Sequence, residues 1–300
     1  MTRVAVVIVT YNSAEVLADC LASLRSTQGL ELATIVVADN NSRDKSLRIA
    51  QDADGLPVHT VQLGRNAGYA AAINAGVAVL PDDIDAVMVL NPDCRLRPDT
   101  LRRLADALGR PGIGIVAPRL LNPDGTLQPT LRRMPTVGRA IAEAVLGGDR
   151  AGRFGAGELV TSAKEHDRPG VVPWATGAAM LISMRAWRKV GPWDESFLLY
   201  SEETEFALRA ADHGFALWYE PAAIVEHIGG ESGTNPTLAA LVVVNKVKLF
   251  RRRRGPVASA VYFGAFVLGQ GVRALAGRRT CKAAVVALLR PSRRLRELAS

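Results

Sequence analysis

Asp93 closes the stretch Asp85-Ala-Val-Met-Val-Leu-Asn-Pro-Asp-Cys94, in which the apolar run 86–90 gives way at once to Asn91-Pro92-Asp93. A carboxylate just past an apolar strand, with no lysine or arginine before it, suits a divalent cation that carries phosphate oxygens. Asp39 has the same placement after the strand-like run 34–38. It can receive hydrogen bonds from a ligand, or serve as a helix cap or Asx-turn. Glu202, Glu203 and Glu205 open a helical stretch beside Trp193, Phe197, Leu198, Leu199 and Tyr200. A carboxylate against such a wall titrates high and can work as a general base; three acids in a first turn equally suit the helix dipole. His227 ends a strand-like run before two glycines, with room to approach a phosphate or a metal. Asn122-Pro123-Asp124-Gly125 repeats the Asn-Pro-Asp tripeptide without an apolar strand ahead of it, and reads as a plain turn.

The elements that must position these groups alternate along the chain. Residues 4–9 form a buried-strand run, followed by Thr10-Tyr11-Asn12-Ser13. Asn12 with Glu15 resembles a capping box, and Val16, Leu17, Cys20, Leu21 and Leu24 fall on one face of the helix that follows, which Gly29 closes. Residues 34–38 and 58–63 are further strands. The latter leads through Gly64-Arg65-Asn66-Ala67-Gly68-Tyr69 into an alanine-rich helix ending near residue 80. After the Asp93 strand come a helix over 99–108 and a strand over 113–117. This alternation predicts an α/β fold with a mostly parallel, doubly wound sheet. Such sheets bind ligands beyond the carboxyl ends of their strands, so Asp39, the 65–69 loop and Asp93 should share one crevice. Neither a Gly-x-Gly-x-x-Gly nor a Walker loop is present, which removes the main support for dinucleotide and P-loop readings. Residues 125–168 are weakly patterned. Order returns at 174–184, and 215–219 and 222–226 read as two short strands.

The chain has 300 residues, 48% of them hydrophobic, enough for a sizeable core. Three distant cysteines give no ligand spacing and no disulfide framework. The short apolar run at the N-terminus is unlike a signal peptide, so a cytoplasmic location is expected. The net charge of +8 is uneven: residues 246–300 hold 14 Lys+Arg against the single acid Glu297. Residues 257–272 are almost wholly apolar, short of the roughly 20 needed to span a bilayer, with arginines on both sides. They can lie in the interface of an anionic leaflet or pack on the main domain. A basic tail without interleaved aromatics does not fit a nucleic-acid binder.

Seven stretches in order resemble the family 2 inverting glycosyltransferases of GT-A fold, in particular their bacterial rhamnosyltransferase-like branch. They are 7–12 (Val-Ile-Val-Thr-Tyr-Asn), 37–42 (Val-Ala-Asp-Asn-Asn-Ser), 66–76, 90–93 (Leu-Asn-Pro-Asp), 177–182, 193–203 and His227. The resemblance implies a GT-A domain over 1–235, with a nucleotide-sugar half at 1–120 and an acceptor half at 121–235, and a basic, partly apolar helical tail at 236–300. It implies that Asp39, with Thr10 and Asn12, meets the donor base. The Asn66–Gly68 loop would bear on the nucleoside. Asp93 would be the last residue of an Asp-x-Asp motif that begins here with Asn91, and with His227 would hold Mg2+ or Mn2+ against the diphosphate. Glu203 stands where the family has its aspartate base, within Glu202-Glu203-Thr204-Glu205 in place of the usual Glu-Asp-x-Asp; Trp193, Asp194, Glu202 and Glu205 would line or support the acceptor side. The implied reaction is inverting transfer from a nucleoside-diphosphate sugar, dTDP-rhamnose first, to a polyprenyl-linked or polysaccharide glycan, on the inner face of the cell membrane. Another UDP- or GDP-sugar is the alternative donor, and a silent nucleotide-sugar-binding scaffold the alternative of another class.

Overall fold

β1 (Arg3–Thr10) shows why the middle of this fold reads as unbroken hydrophobicity. Val4, Val6 and Ile8 belong to one core layer and Ala5, Val7 and Val9 to the other, so both faces of the strand are covered. The computed structural model describes residues 2–229, 235–295 and 298. After β1 the first half continues with α1 (Ala14–Arg25), β2 (Glu31–Asp39), α2 (Ser46–Gln51), β3 (Val58–Gln62), α3 (Tyr69–Ala78) and β4 (Ala86–Leu90). The second half runs through β5 (Cys94–Leu96), α4 (Thr100–Leu108), β6 (Ile113–Leu121), β7 (Leu131–Arg132), α5 (Val137–Leu146), α6 (Gly148–Arg153) and α7 (Ala163–His166). It goes on with β8 (Gly170–Val172), β9 (Trp174–Ala175), β10 (Ala179–Ser183), α8 (Met184–Val190), α9 (Glu202–Asp212) and β11 (Ala216–His227). Three helices follow: α10 (Pro236–Arg253), α11 (Pro256–Leu275) and α12 (Arg279–Leu289).

The main sheet is ordered β3-β2-β1-β4-β10-β6-β11-β5, with β8 also on β11. Pairing is parallel from β3 to β4 and between β6 and β11, whereas β10, β5 and β8 run against their neighbours. The expected mostly parallel sheet is therefore present, with antiparallel β10 set between its halves. Register aligns the carboxyl ends: Thr10 pairs with Asp39, Asp39 with Gln62, Ile8 with Leu90, and Leu90 with Ala179. His227, at the end of β11, pairs with Cys94.

Two local expectations are corrected. Asn12 does not cap α1: it is left-handed at φ 52° and its Oδ1 accepts from the Arg43 N–H at 2.8 Å. Ser13 is the cap position, and the Ala14 N–H is satisfied by Asp44 Oδ2 at 2.8 Å. The two short strands predicted over 215–226 are one, β11, interrupted by a register shift between Glu220 and Ile224 where Pro221 would otherwise break the ladder.

A third core cluster joins α5 to the C-terminal helices through Ala140, Val243, Phe250, Tyr262 and Leu288. Polar groups reinforce that joint. Glu158 accepts from Lys246 Nζ and from the Tyr262 hydroxyl, both at 3.1 Å, and its N–H donates to Glu143 Oε1 at 2.7 Å. The apolar run read as 16 residues lies within the 20-residue α11, long and apolar enough to cross a membrane by length and composition alone. It packs on α5 and α12 yet leaves Val257, Val261, Leu268, Val272 and Leu275 exposed.

Candidate active site

Asp39 is 2% exposed at the end of β2. Its Oδ1 accepts from the Thr10 hydroxyl at 2.8 Å and the Ser42 hydroxyl at 2.5 Å, and its Oδ2 from the Ser42 N–H at 2.9 Å. A carboxylate has about four lone-pair sites, so Oδ2 retains one for a further donor. Asn12 stands beside it, its N–H donating to Ser42 Oγ at 2.9 Å. Asn40, which the sequence reading passed over, fixes the neighbouring loop: its Oδ1 accepts from Ala67 N–H at 3.1 Å and its Nδ2 donates to Gly68 O at 3.2 Å. Asn66 is buried in that loop. Gly68 has φ 96°, and a Cβ there would lie 2.3 Å from Leu198 O; only glycine fits without displacing backbone.

Asp93 and His227 meet beyond the ends of β4 and β11. His227 Nε2 lies 3.4 Å from Asp93 Oδ1 and 3.4 Å from Asn91 Nδ2. Asp93 Oδ2 accepts from Gly229 N–H at 2.8 Å. Burial pushes the Asp93 carboxyl up, but the contacts with His227 and the Gly229 N–H prevail and hold it below the usual carboxylate range.

A relay on the far side of His227 decides which ring nitrogen is free. Asp124 Oδ1 accepts from the Thr126 hydroxyl at 2.6 Å, and Thr126 Oγ1 accepts from Asn122 Nδ2 at 2.9 Å. Asn122 Oδ1 accepts from Gln128 Nε2 at 3.1 Å, leaving Gln128 Oε1 2.6 Å from His227 Nδ1. An ionised carboxylate can only accept, so the direction of every later link follows from Asp124. Nδ1 therefore carries a hydrogen in either charge state. When the ring is protonated its Nε2–H points to Asp93 and lowers that carboxyl, and when it is neutral the Nε2 lone pair is the one presented beside Asp93. The 122–125 turn forms as read, but its Asn122 side chain reaches into the site. An oxygen and an imidazole nitrogen converging at this distance fit a hard or borderline divalent cation. Cys94 also lies within reach. Burial holds its thiol well above its usual range, and it donates to Ala178 O at 3.5 Å.

Tyr69 links this pair to the acids of α9. Its hydroxyl lies 2.7 Å from Asn91 Oδ1 and 3.2 Å from Gly177 O. Gly177 makes room for Glu203: a Cβ there would sit 2.9 Å from Glu203 Cβ and 3.1 Å from its Cγ. Burial raises the Glu203 carboxyl, opposed by backbone N–H groups and by the nearby Arg132 guanidinium of β7. Glu202 is more enclosed, 2% exposed, and its Oε2 has no hydrogen-bond partner among the described residues. Burial, then the charge of Glu203, pushes it well above the usual range.

The segment entering α9 is strained, with Leu198, Tyr200 and Ser201 all at positive φ. Asn245 of α10 secures it, its Nδ2 lying 2.7, 2.9 and 3.0 Å from the carbonyls of Phe197, Leu199 and Tyr200. Leu198 O accepts from Tyr69 N–H at 2.7 Å.

The structure thus brings Thr10, Asn12, Asp39, Asn66, Gly68, Asn91, Asp93, Glu202, Glu203 and His227 to one edge. It does not bring Trp193, Asp194 or Glu205 there as free groups. Trp193 is core, stacked on Phe206 with its edge toward Tyr69. Asp194 is paired with Arg252 of α10. Glu205 binds Arg209 at 2.8 and 2.9 Å, and Arg209 in turn donates to Val190 O and Pro192 O. Sequence reading missed Asn40, Gln128, Arg132 and the part played by Tyr69. Tyr69 had a signal in its place directly after Gly68; Gln128 had none.

The family model for glycosyl transferase family 2 matches residues 5–163, the span that carries Asp39, the 66–68 loop, Asp93 and Gln128. The chain belongs to glycosyl transferase family 2. It is 32% identical over 247 residues to the N-acetylglucosaminyl-diphospho-decaprenol L-rhamnosyltransferase of Mycobacterium tuberculosis, covering 77% of this chain and 78% of that protein. The low-salt glycan biosynthesis hexosyltransferase Agl10 of Haloferax volcanii is 29% identical over 209 residues, covering 68% of this chain and 60% of that one. Among solved structures, a mannosyltransferase of Pyrobaculum calidifontis in complex with GDP-Man and Mn2+ superposes with a TM-score of 0.60 at 15% identity, covering 95% of this chain and 74% of that one. This glycosyltransferase therefore has the GT-A fold expected from its sequence.

Proposed function

We propose that this glycosyltransferase moves rhamnose from dTDP-rhamnose to a hydroxyl of a lipid-linked glycan, with inversion at the anomeric carbon. The observation that carries the reading is the meeting of Asp93 with His227 at 3.4 Å, bridged through Asn91 and Tyr69 to the pocket where Gly177 admits Glu203. The 32% identity to a rhamnosyltransferase with a polyprenyl diphosphate substrate supports the choice of donor and acceptor class.

Each part of the edge has its task. The remaining lone pair of Asp39 accepts the imide N–H of the thymine base, while the Asn66–Gly68 loop, held by Asn40, shapes the nucleoside pocket. Asp93 and His227 are the pair to hold Mg2+ or Mn2+, which when bound supplies positive charge beside the departing diphosphate. Glu203, raised by burial, takes the proton from the acceptor hydroxyl. The hydroxyl oxygen attacks the anomeric carbon from the side opposite the diphosphate; that C–O bond breaks and its electron pair leaves with the phosphate oxygen. Inversion follows from the single displacement, and no protein nucleophile takes part. The extra methylene of Glu203 relative to aspartate lies in the space left by Gly177, so the longer base still fits. The exposed apolar side chains of α11 support a peripheral seat on the cytoplasmic face of the membrane.

A panel of nucleotide sugars with Mn2+ or Mg2+, read as released nucleoside diphosphate, tests the reading. Release from dTDP-rhamnose, stimulated by a lipid-linked acceptor and abolished by EDTA, is expected. Release only from a UDP- or GDP-sugar would replace the donor, and binding of a donor without transfer to any acceptor would sink the transferase reading.

A further inference from the structure

The C-terminal helices enclose a groove of about 980 Å3 for which the reaction at the sheet edge has no use. Its floor is aliphatic, from Leu241 and Val244 of α10 and Ala283, Val286 and Ala287 of α12, and its end wall is the 196–198 segment. Among the described residues, seven lysines and arginines line it and no carboxylate does. Some of these cations are engaged. Arg252 is paired with Asp194, Lys248 donates to Ser196 O at 2.6 Å, and Arg294 donates to the carbonyls of Ala287 and Leu288. Arg279, Lys282 and Arg293 are exposed and have no acidic partner among the described residues. An aliphatic trough rimmed by uncompensated cations is complementary to an anion that carries an apolar chain.

The place of the groove narrows the choice of anion. Its end wall is the strained segment whose other side meets the donor half, where Leu198 O accepts from Tyr69 N–H. Asn245, another lining residue, holds the carbonyls of Phe197, Leu199 and Tyr200 just ahead of Glu203. The groove and the base are thus joined through one backbone segment, 197–203. Exposed Leu289 follows the lining residue Leu288 at the end of α12, an apolar exit for a chain longer than the groove.

We propose that this groove holds the diphosphate and first isoprene units of the lipid that carries the acceptor sugar. The inference rests on the lipid-linked acceptor reading above and adds to it a site distinct from the donor edge. Arg279 and Lys282, one turn apart at the start of α12, neutralise the diphosphate, and the aliphatic floor further along α12 takes the prenyl chain.

Farnesyl diphosphate is the probe, measured by calorimetry on the full chain beside inorganic diphosphate and farnesol. Farnesyl diphosphate should bind more tightly than either control, since it alone presents both chemistries. The charge-reversed variant R279E/K282E, altered only at exposed positions of α12, should lose about ten-fold or more in that affinity, the worth of one charge-assisted hydrogen bond. Its affinity for the donor nucleotide should be unchanged. Ala283→Phe, which narrows the trough without touching charge, should weaken farnesyl diphosphate and leave inorganic diphosphate as it was. Unchanged farnesyl diphosphate affinity in both variants would overturn the assignment. So would loss of binding to phosphatidylglycerol vesicles with farnesyl diphosphate unaffected, which would give the cations to bilayer headgroups. If the variants lower prenyl diphosphate binding but no sugar is transferred to any acceptor, the groove stands and the catalytic reading falls. If transfer proceeds with an unaltered acceptor KM in R279E/K282E, the catalytic reading stands and the groove falls.

Discussion

Replacing Gln128 by leucine tests whether the metal pair is set from behind. The parent side chain accepts from His227 Nδ1 at 2.6 Å and donates to Asn122 at 3.1 Å. Leucine has nearly the same volume but offers neither contact. The Nδ1–H is then left without its acceptor, at a cost of about 1–3 kcal/mol, and the ring is free to take the other tautomer or to turn its Nε2 from Asp93. Outer-shell partners of a ligating histidine are typically worth about 10–100-fold in metal affinity, which is the same range expressed as a ratio. Mn2+ titration of the full chain in the presence of nucleoside diphosphate, followed by electron paramagnetic resonance of free Mn2+, reads this directly. Gln128→Leu should bind Mn2+ about 10–100-fold more weakly, and Gln128→Glu, which keeps an oxygen facing Nδ1, should stay close to the parent. Equal Mn2+ affinity in Gln128→Leu and the parent would refute the reasoning, because it would mean that Nε2 is presented without the relay.

Further expectations follow from other parts of the site. Glu203→Gln should lower kcat by about 10²–10⁴-fold with donor KM unchanged; equal losses in both would make Glu203 a structural residue. Glu202 carries a raised folded carboxyl, so its contribution to stability is complete below the unfolded value of 4.5 and is lost as pH rises through the folded one. Glu202→Gln should therefore raise the Tm at neutral pH, with a gain that shrinks as pH falls toward 4.5; a pH-independent change would contradict burial as the cause. Gly68→Ala should destabilise the chain by about 1–3 kcal/mol, because the left-handed φ and the Leu198 carbonyl both oppose a Cβ, with weakened nucleotide binding as the companion readout. Leu268→Asp on the bare face of α11 should reduce partition onto anionic vesicles without changing donor affinity, and equal partition would leave α11 with no part in membrane contact.

What the sequence made legible was the part of the fold that burial writes in runs. β1 and β4, and β2 from Ile35 on, are covered on both faces, so each is an apolar string with a polar residue where it meets solvent, and those polar residues are in the site. β5 escaped notice because Cys94–Leu96 is three residues and takes its meaning from β11, more than a hundred positions later. β11 itself was split because Pro221 looks like a stop, and only the register shift reveals that the ladder passes it. Asp194 and Glu205 stood in a motif beside Glu203, yet their arginine partners come from α10 and from one turn along α9, and acid spacing alone does not show which carboxylates are already satisfied. Asn12 satisfied the pattern of a capping box, but Asp44 takes the amide it would have capped. Gln128 lies in weakly patterned chain, and its role exists only through a chain of directed hydrogen bonds.

β10 has a consequence for how the protein is made. It pairs with β4 on one side and β6 on the other, so the middle of the sheet waits for residues 179–183. Until they leave the ribosome, β4 presents Ala86–Leu90 as a bare, wholly apolar edge, the kind of surface on which unfinished chains pair with one another. Translation must run through the whole of the weakly patterned 125–168 region with that edge open. Expression fragments that stop at residue 163, where the family match ends, would keep it open permanently and should aggregate, while those that include β10 close it.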